Sequence, residues 1–168
     1  MSRSTRTTSR RRVLALLGAG ASTVVAGCGG RASREVEYGE RRAVGNLSTP
    51  ANGSTAEAAA AAGVRAETSG NEYAAVLAAL ALREDDLVVK DDYRGAVVEG
   101  VVENTGRERI EHVEVRTRVY DEGGAHLGRY LDSTDDLAAG TTWRFGAVVL
   151  EDPGDIGAYD VAVLGVLG

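Results

Sequence analysis

Hydrophobic and polar positions alternate with period two over the second half of the chain, and keep no lasting period over the first. From Ile110 to Tyr120, Val113, Val115, Thr117 and Val119 share one face, while His112, Glu114, Arg116 and Arg118 share the other. Successive side chains on a strand point to opposite sides, so this alternation predicts a strand and not a helix. It predicts an antiparallel strand with one face on a core and the charged face in water. Upstream, residues 87–89 form a short strand stopped by Asp91-Asp92. Residues 96–102 form the next, with Glu99 and Glu103 opposed to Val98, Gly100 and Val102, and Asn104-Thr105-Gly106 is a turn signal. Asp121-Glu122-Gly123-Gly124 supplies residues that tolerate positive φ, so a strand over 125–132 folds back as a hairpin. Residues 132–136 and 138–140 are expected as loops on either side of Leu137. Strands over 142–149, with Trp143 and Phe145 on one face, and over 158–166 complete the set, separated by a break at 151–157 that holds Pro153 and Gly154.

The lead-in over 72–82 has two readings. Tyr73, Val76, Leu77 and Leu80 stand at helical spacing, which favours a short helix over 72–80; residues 76–82 also fit a lead into the first strand. Six or seven short strands with frequent turns predict an all-β fold, a small immunoglobulin-like antiparallel β-sandwich over residues 83–168. A domain of that size without a disulfide is expected to have modest stability. Aromatic residues make up only 5% of the 168, so the core must be built from small aliphatic side chains.

Residues 1–27 have a different character. Five arginines and no acid stand in this stretch, and Arg10-Arg11-Arg12 is followed by an apolar run of small residues to Gly27. Fifteen such residues as a helix would span about 22 Å, short of the roughly 30 Å hydrocarbon core of a bilayer. A basic head, a short apolar middle and a small-residue end describe a cleavable export signal. The paired arginines before Val13-Leu14 resemble the twin-arginine (Tat) motif, which exports folded proteins. Val25-Ala26-Gly27-Cys28 resembles a lipobox, in which the cysteine takes a thioether lipid and becomes the mature N-terminus; the competing reading is an ordinary buried thiol. Two chains would hold a protein durably on a membrane, at about 0.8 kcal/mol per buried methylene.

Residues 28–71 are expected as a flexible tether. Asn46-Leu47-Ser48 and Asn52-Gly53-Ser54 both fit the N-glycosylation acceptor pattern at Asn46 and Asn52. Six alanines in residues 56–62 form a helix-friendly tract with no large side chain to bury.

Charge narrows the partners. The formal net charge is −6, but beyond the leader 14 basic groups face 25 acidic ones, a net of −11. Such a surface repels phosphate backbones, so no nucleic-acid partner is expected. Lys90 is the sole lysine; acid-rich, lysine-poor composition resembles exported proteins of halophilic archaea, and high genomic GC content would also replace lysine with arginine.

No catalytic constellation stands out, and no cofactor is expected. One cysteine excludes a disulfide framework and any multi-cysteine metal site. Blue copper is excluded because Cys28 is committed to lipid and Met1 lies in the leader. Only His112 and His126 remain; placed on adjacent strands they could face each other across the hairpin and touch a metal, or be solvated side chains. Asp132, Asp135 and Asp136 offer three carboxylates in five residues, a spacing that can wrap calcium or form a solvated acidic turn. Ser133 is the only serine after Ser69, and no nucleophile elbow, zinc helix or phosphate loop is present. Trp143 and Phe145 are expected to pack between sheets rather than form an exposed stacking platform.

Gly100-Val101-Val102-Glu103-Asn104, Val113-Glu114-Val115, Val119-Tyr120-Asp121-Glu122-Gly123-Gly124, residues 137–145 and Tyr159 together resemble the FxLyD domain over residues 83–166. The namesake phenylalanine position falls on Thr117 and the leucine on Val119. The resemblance implies a small β-sandwich of exported, membrane-attached prokaryotic proteins, without catalytic activity. The expectation is a surface lipoprotein, anchored on the outer face of the membrane, that presents this domain to another surface protein or a glycan. The competing expectation is an accessory or solute-capturing subunit of a membrane transport or redox complex, and pull-down from membranes separates the two.

Overall fold

A computed structural model describes residues 36–45, 47, 56–65 and 69–168. The elements in chain order are β1 (Arg42–Ala43), α1 (Ala56–Arg65), β2 (Leu80–Val89), β3 (Ala96–Asn104), β4 (Ile110–Tyr120), β5 (His126–Leu137), β6 (Thr142–Val149) and β7 (Ala158–Leu167), with a single 3-10 turn at Pro153–Asp155 before β7. The strands form two antiparallel sheets, one in the order β1-β7-β4-β5 and the other β2-β3-β6. The fold is the expected all-β sandwich. Its core lies between the sheets and is valine-rich: Val98 and Val102 from β3 meet Val113, Val115 and Val119 from β4, with Leu87, Phe145, Val149, Tyr159 and Val161 around them. Valine suits this role because its branched Cβ is already stiff and packs well on a pleated surface.

Strands β2 to β7 run alternately up and down, so their connections gather at two ends. Loops 90–95, 121–125 and 150–157 lie at one end; segments 71–79, 105–109 and 138–141 lie at the other with Leu167. The β4–β5 turn forms where the glycines predict it. Asp121 N–H donates to the Ala125 carbonyl (2.9 Å) and Gly124 N–H to the Asp121 carbonyl (3.0 Å). Gly124 has φ +83°, which a side chain at this position would strain.

Three expectations are corrected. Residues 72–79 form turns and an isolated bridge, not a helix. Ala75 and Gly165 exchange two backbone hydrogen bonds (3.0 and 2.9 Å), while Leu77 and Leu80 pack on the core, so the apolar positions serve a sheet edge. β2 begins at Leu80 rather than Leu87, so the competing reading of residues 76–82 as a lead into the first strand holds from Leu80 on. A register shift between Leu82 and Glu84 breaks its alternation, and the acids Glu84, Asp85 and Asp86 conceal what remains. β5 runs on to Leu137, so residues 132–136 are strand and not loop. Its carboxylates are satisfied in place: Asp132 accepts from Gly146 N–H (2.7 Å), and Asp136 pairs with Arg109 (2.6 Å).

The stretch expected as a tether contains ordered elements. Gly39 N–H donates to the Val161 carbonyl and Val44 N–H to the Gly157 carbonyl, both at 2.9 Å. Arg42 and Ala43 pair with Tyr159 and Ala158. A two-residue ladder is too short to leave a periodic signal. The alanine tract forms α1, whose Ala62 packs on Val88, Val97 and Val148 of the outer face of the β2-β3-β6 sheet.

Candidate functional site

Cys28, the arginines Arg10, Arg11 and Arg12, and the acceptors Asn46 and Asn52 all lie outside the described residues. A cluster of paired charged side chains lies on the outer face of β4 and β7, beside the strap of residues 36–44, which runs along the β7 edge of the sheet. Asp160 on β7 is its hub, accepting from Arg118 Nε (2.8 Å), Arg118 Nη2 (2.7 Å) and the Tyr120 hydroxyl (2.9 Å). The bonds to Arg118 raise its pKa above the ordinary value and keep the guanidinium charged. Arg118 also lies 3.6 Å from the ring centroid of Tyr38, and Arg41 lies 3.6 Å from that of Tyr120. Burial raises the Tyr38 pKa, opposed by the positive charge of Arg118.

A second knot lies farther along the same face. Glu114 Oε2 accepts the Asn71 N–H at 2.7 Å, and Arg116 Nη2 donates to the Asn71 carbonyl at 2.9 Å. Arg116 Nε donates to Glu114 Oε1, which completes the loop of partners. The expectation that this charged face lies in water is therefore corrected: Glu114 is 1% exposed and Asp160 4%. Tyr38 and Asn71, which roof it, escape the periodic pattern because they stand in the stretch expected to be a tether. The available signal is Tyr38, a large aromatic in an otherwise small and polar stretch.

The strap also closes one side of the sandwich. Arg42 Nη2 lies 2.9 Å from Asp85 Oδ1, whose side chain is 2% exposed. The contact is an ion pair without hydrogen-bond alignment, since that oxygen has no hydrogen-bond partner. Arg42 Nη1 and the Tyr159 hydroxyl both donate to the Asp85 carbonyl, at 3.3 Å each. Burial and the neighbouring Asp85 raise the Tyr159 pKa well above its ordinary value. A cavity of about 360 Å³ opens here between Arg42, Leu47, Asp86, Leu87 and Tyr159. On the opposite side Tyr130 donates to Glu151 (2.9 Å), and burial with that bond pushes its pKa up to about 12.

The other candidates separate. His112 pairs across the ladder with Asp135, whereas His126 pairs with Tyr120 at the far end of the same strand. Eight residues of strand are about 26 Å, so the two histidines do not share a ligand. His112 Nδ1 lies 2.7 Å from Asp135 Oδ1, and the His126 ring meets Tyr120 edge-on at 5.6 Å. Asp132, Asp135 and Asp136 each turn to a different partner, so they do not converge on calcium. Among the described residues no three His, Cys, Asp or Glu side chains come together as a metal site. Phe145 is buried in the core and Trp143 packs half-buried against it, at 6.0 Å between centroids.

No helix among the described residues is long and apolar enough to cross a membrane. No family model matches the chain, and no solved structure does. Over 78 residues it is 33% identical to the uncharacterized protein MJ0360 of Methanocaldococcus jannaschii, a match that covers 45% of this chain and 58% of that relative. The chain thus spans less than two thirds of the relative's length.

Proposed function

We propose that this protein is exported, lipid-anchored through Cys28 on the outer face of the cell membrane, and presents an FxLyD-like, non-catalytic sandwich to a surface protein or glycan. The observation that carries the proposal is the placement of the sole cysteine. It stands directly after a basic, then apolar, then small-residue leader. The strap adds support, because backbone bonds from Gly39 and Val44 to β7 give a leader-borne domain a firm attachment at its first described residues. The paired charges on β4 have the chemistry of clamps, each cation matched to a carboxylate, a ring or a backbone carbonyl.

Replacement of the lipid acceptor tests the proposal. Cys28→Ser should abolish metabolic lipid labelling and leave the protein soluble or as uncleaved precursor; undiminished labelling would sink it. Lysines in place of Arg10, Arg11 and Arg12 should block export by the Tat route, whereas normal secretion would place export on the Sec route.

A further inference from the structure

The two ends of the sandwich differ in a way that no packing requirement explains. Loops 90–95, 121–125 and 150–157 carry seven acids against Lys90 and Arg94. At the opposite end, segments 71–79, 105–109 and 138–141 carry Glu72 and Glu108 against Arg107 and Arg109. That balanced end displays three large apolar side chains to solvent: Tyr73 is 70% exposed, Val76 59% and Leu167 54%. Tyr73 and Val76 flank Ala75, and Leu167 lies two residues beyond its bridge partner Gly165, so all three stand at this end of the β7 edge. Tyr93 and Leu150 are also exposed, but they stand in the acidic loops.

We propose that the patch of Tyr73, Val76 and Leu167 rests on the lipid surface, so that the balanced end faces the membrane and the acidic end faces outward. This inference depends on the lipid anchor proposed for Cys28. Chain length and direction support it. β1 runs antiparallel to β7, so the chain traced back from Arg42 heads toward the Leu167 end. The chain from Cys28 to Val36 is eight residues long, a reach of at most about 29 Å. From Val161, where the strap first bonds, to Leu167 is about 20 Å of strand. A lipid on Cys28 therefore keeps the domain within contact distance of the bilayer, and the balanced end is within reach. Chemistry then selects between the ends. Valine and leucine side chains gain by leaving water, and a tyrosine ring suits the headgroup level with its hydroxyl wet. Seven carboxylates would be repelled by anionic headgroups and are costly to desolvate.

The sole cysteine is consumed by lipid in this proposal, so one introduced cysteine is the only free thiol. Full-length lipidated protein carrying Val76→Cys, Leu167→Cys or Leu150→Cys is reconstituted into phosphatidylcholine vesicles that contain a headgroup spin-labelled lipid. Each thiol is labelled with bimane or challenged with a bulky water-soluble maleimide. Positions 76 and 167 should be quenched by the spin label and react about fivefold more slowly than position 150. Equal reactivity at both ends, with the protein still on vesicles, overturns the footprint and leaves the anchor intact. Protection without quenching assigns the patch to a second copy and also overturns it. Protein recovered in solution with a free Cys28 thiol removes both the anchor and the footprint.

Discussion

The inner and outer faces of β4 differ in composition, and both bury side chains: the inner row is fully dry, while the outer row buries Glu114 and Tyr120 and leaves Arg118 about one third exposed. On the inner face Val113, Val115 and Val119 are fully buried by the facing sheet. On the outer face the charged and polar residues Glu114, Arg116, Arg118 and Tyr120 are covered by chain from elsewhere, with Asn71 bonded to Glu114 across 43 residues of sequence. The inner face is stabilised by removal of apolar area from water, at about 1.5–3 kcal/mol for each large aliphatic side chain. That contribution asks only for a hydrophobe of roughly the right size. The outer face gains nothing from burial itself; buried charges are tolerated only where every lone pair and N–H is matched. One face is therefore permissive and the other exacting, and the exacting one depends on segments outside the sandwich proper.

Two substitutions on neighbouring residues test that difference. Val115→Ala should cost about 2–3 kcal/mol by leaving a cavity between the sheets. Glu114→Gln, nearly the same shape, should cost about 2 kcal/mol by stripping Arg116 of its counter-ion and weakening the Asn71 bond. Denaturant melts give the sizes, and hydrogen exchange separates the mechanisms. Val115→Ala should raise exchange evenly through both sheets, whereas Glu114→Gln should first release the amides of Asn71 and Ala75. A uniform response to both would mean that the outer face is packed like the inner one.

The same contrast governs what can be read from the chain. β4, β6 and β7 are legible because each is marked by a period-two row of apolar side chains, and that row is local. The strap is not, since Gly39 and Val44 hold β7 through backbone bonds that any residue but proline could make. β2 is half legible: its register shift at Arg83 moves the phase of the pattern, and Asp85 occupies a buried position where alternation calls for a hydrophobe. The separation of His112 from His126 needs only the strand length, yet the extension of β5 through its acids needs partners such as Gly146 and Arg109, which lie on other segments. Sequence patterns report burial by hydrophobes and are silent about burial by matched charge.

Tyr38→Ala probes the roof at a single contact. The ring sits over the Arg118 guanidinium, an arrangement worth about 1 kcal/mol when partly shielded from water. Global stability should fall by about that amount. The local effect should be larger than the global one: exchange at the Gly39 and Val44 amides should rise more than that of the core amides of Val98 and Val113, which follow only the global loss. Unchanged strap amides would show that β1 holds without its aromatic pin.

Thr117 is where the permissive face breaks its own rule. It shares the inner face with three valines and is fully buried, yet its hydroxyl has no hydrogen-bond partner. Threonine and valine have nearly the same outline, so Thr117→Val removes an unmatched polar group without opening a cavity. Relief of that desolvation penalty should raise stability by about 1 kcal/mol. The matching change on the other face, Asp160→Asn, should do the reverse, because there the polar atoms have partners in Arg118 and Tyr120. If Thr117→Val were neutral or destabilising in a denaturant melt, the hydroxyl must be satisfied in solution, and the inner face would be less purely hydrophobic than its valines imply.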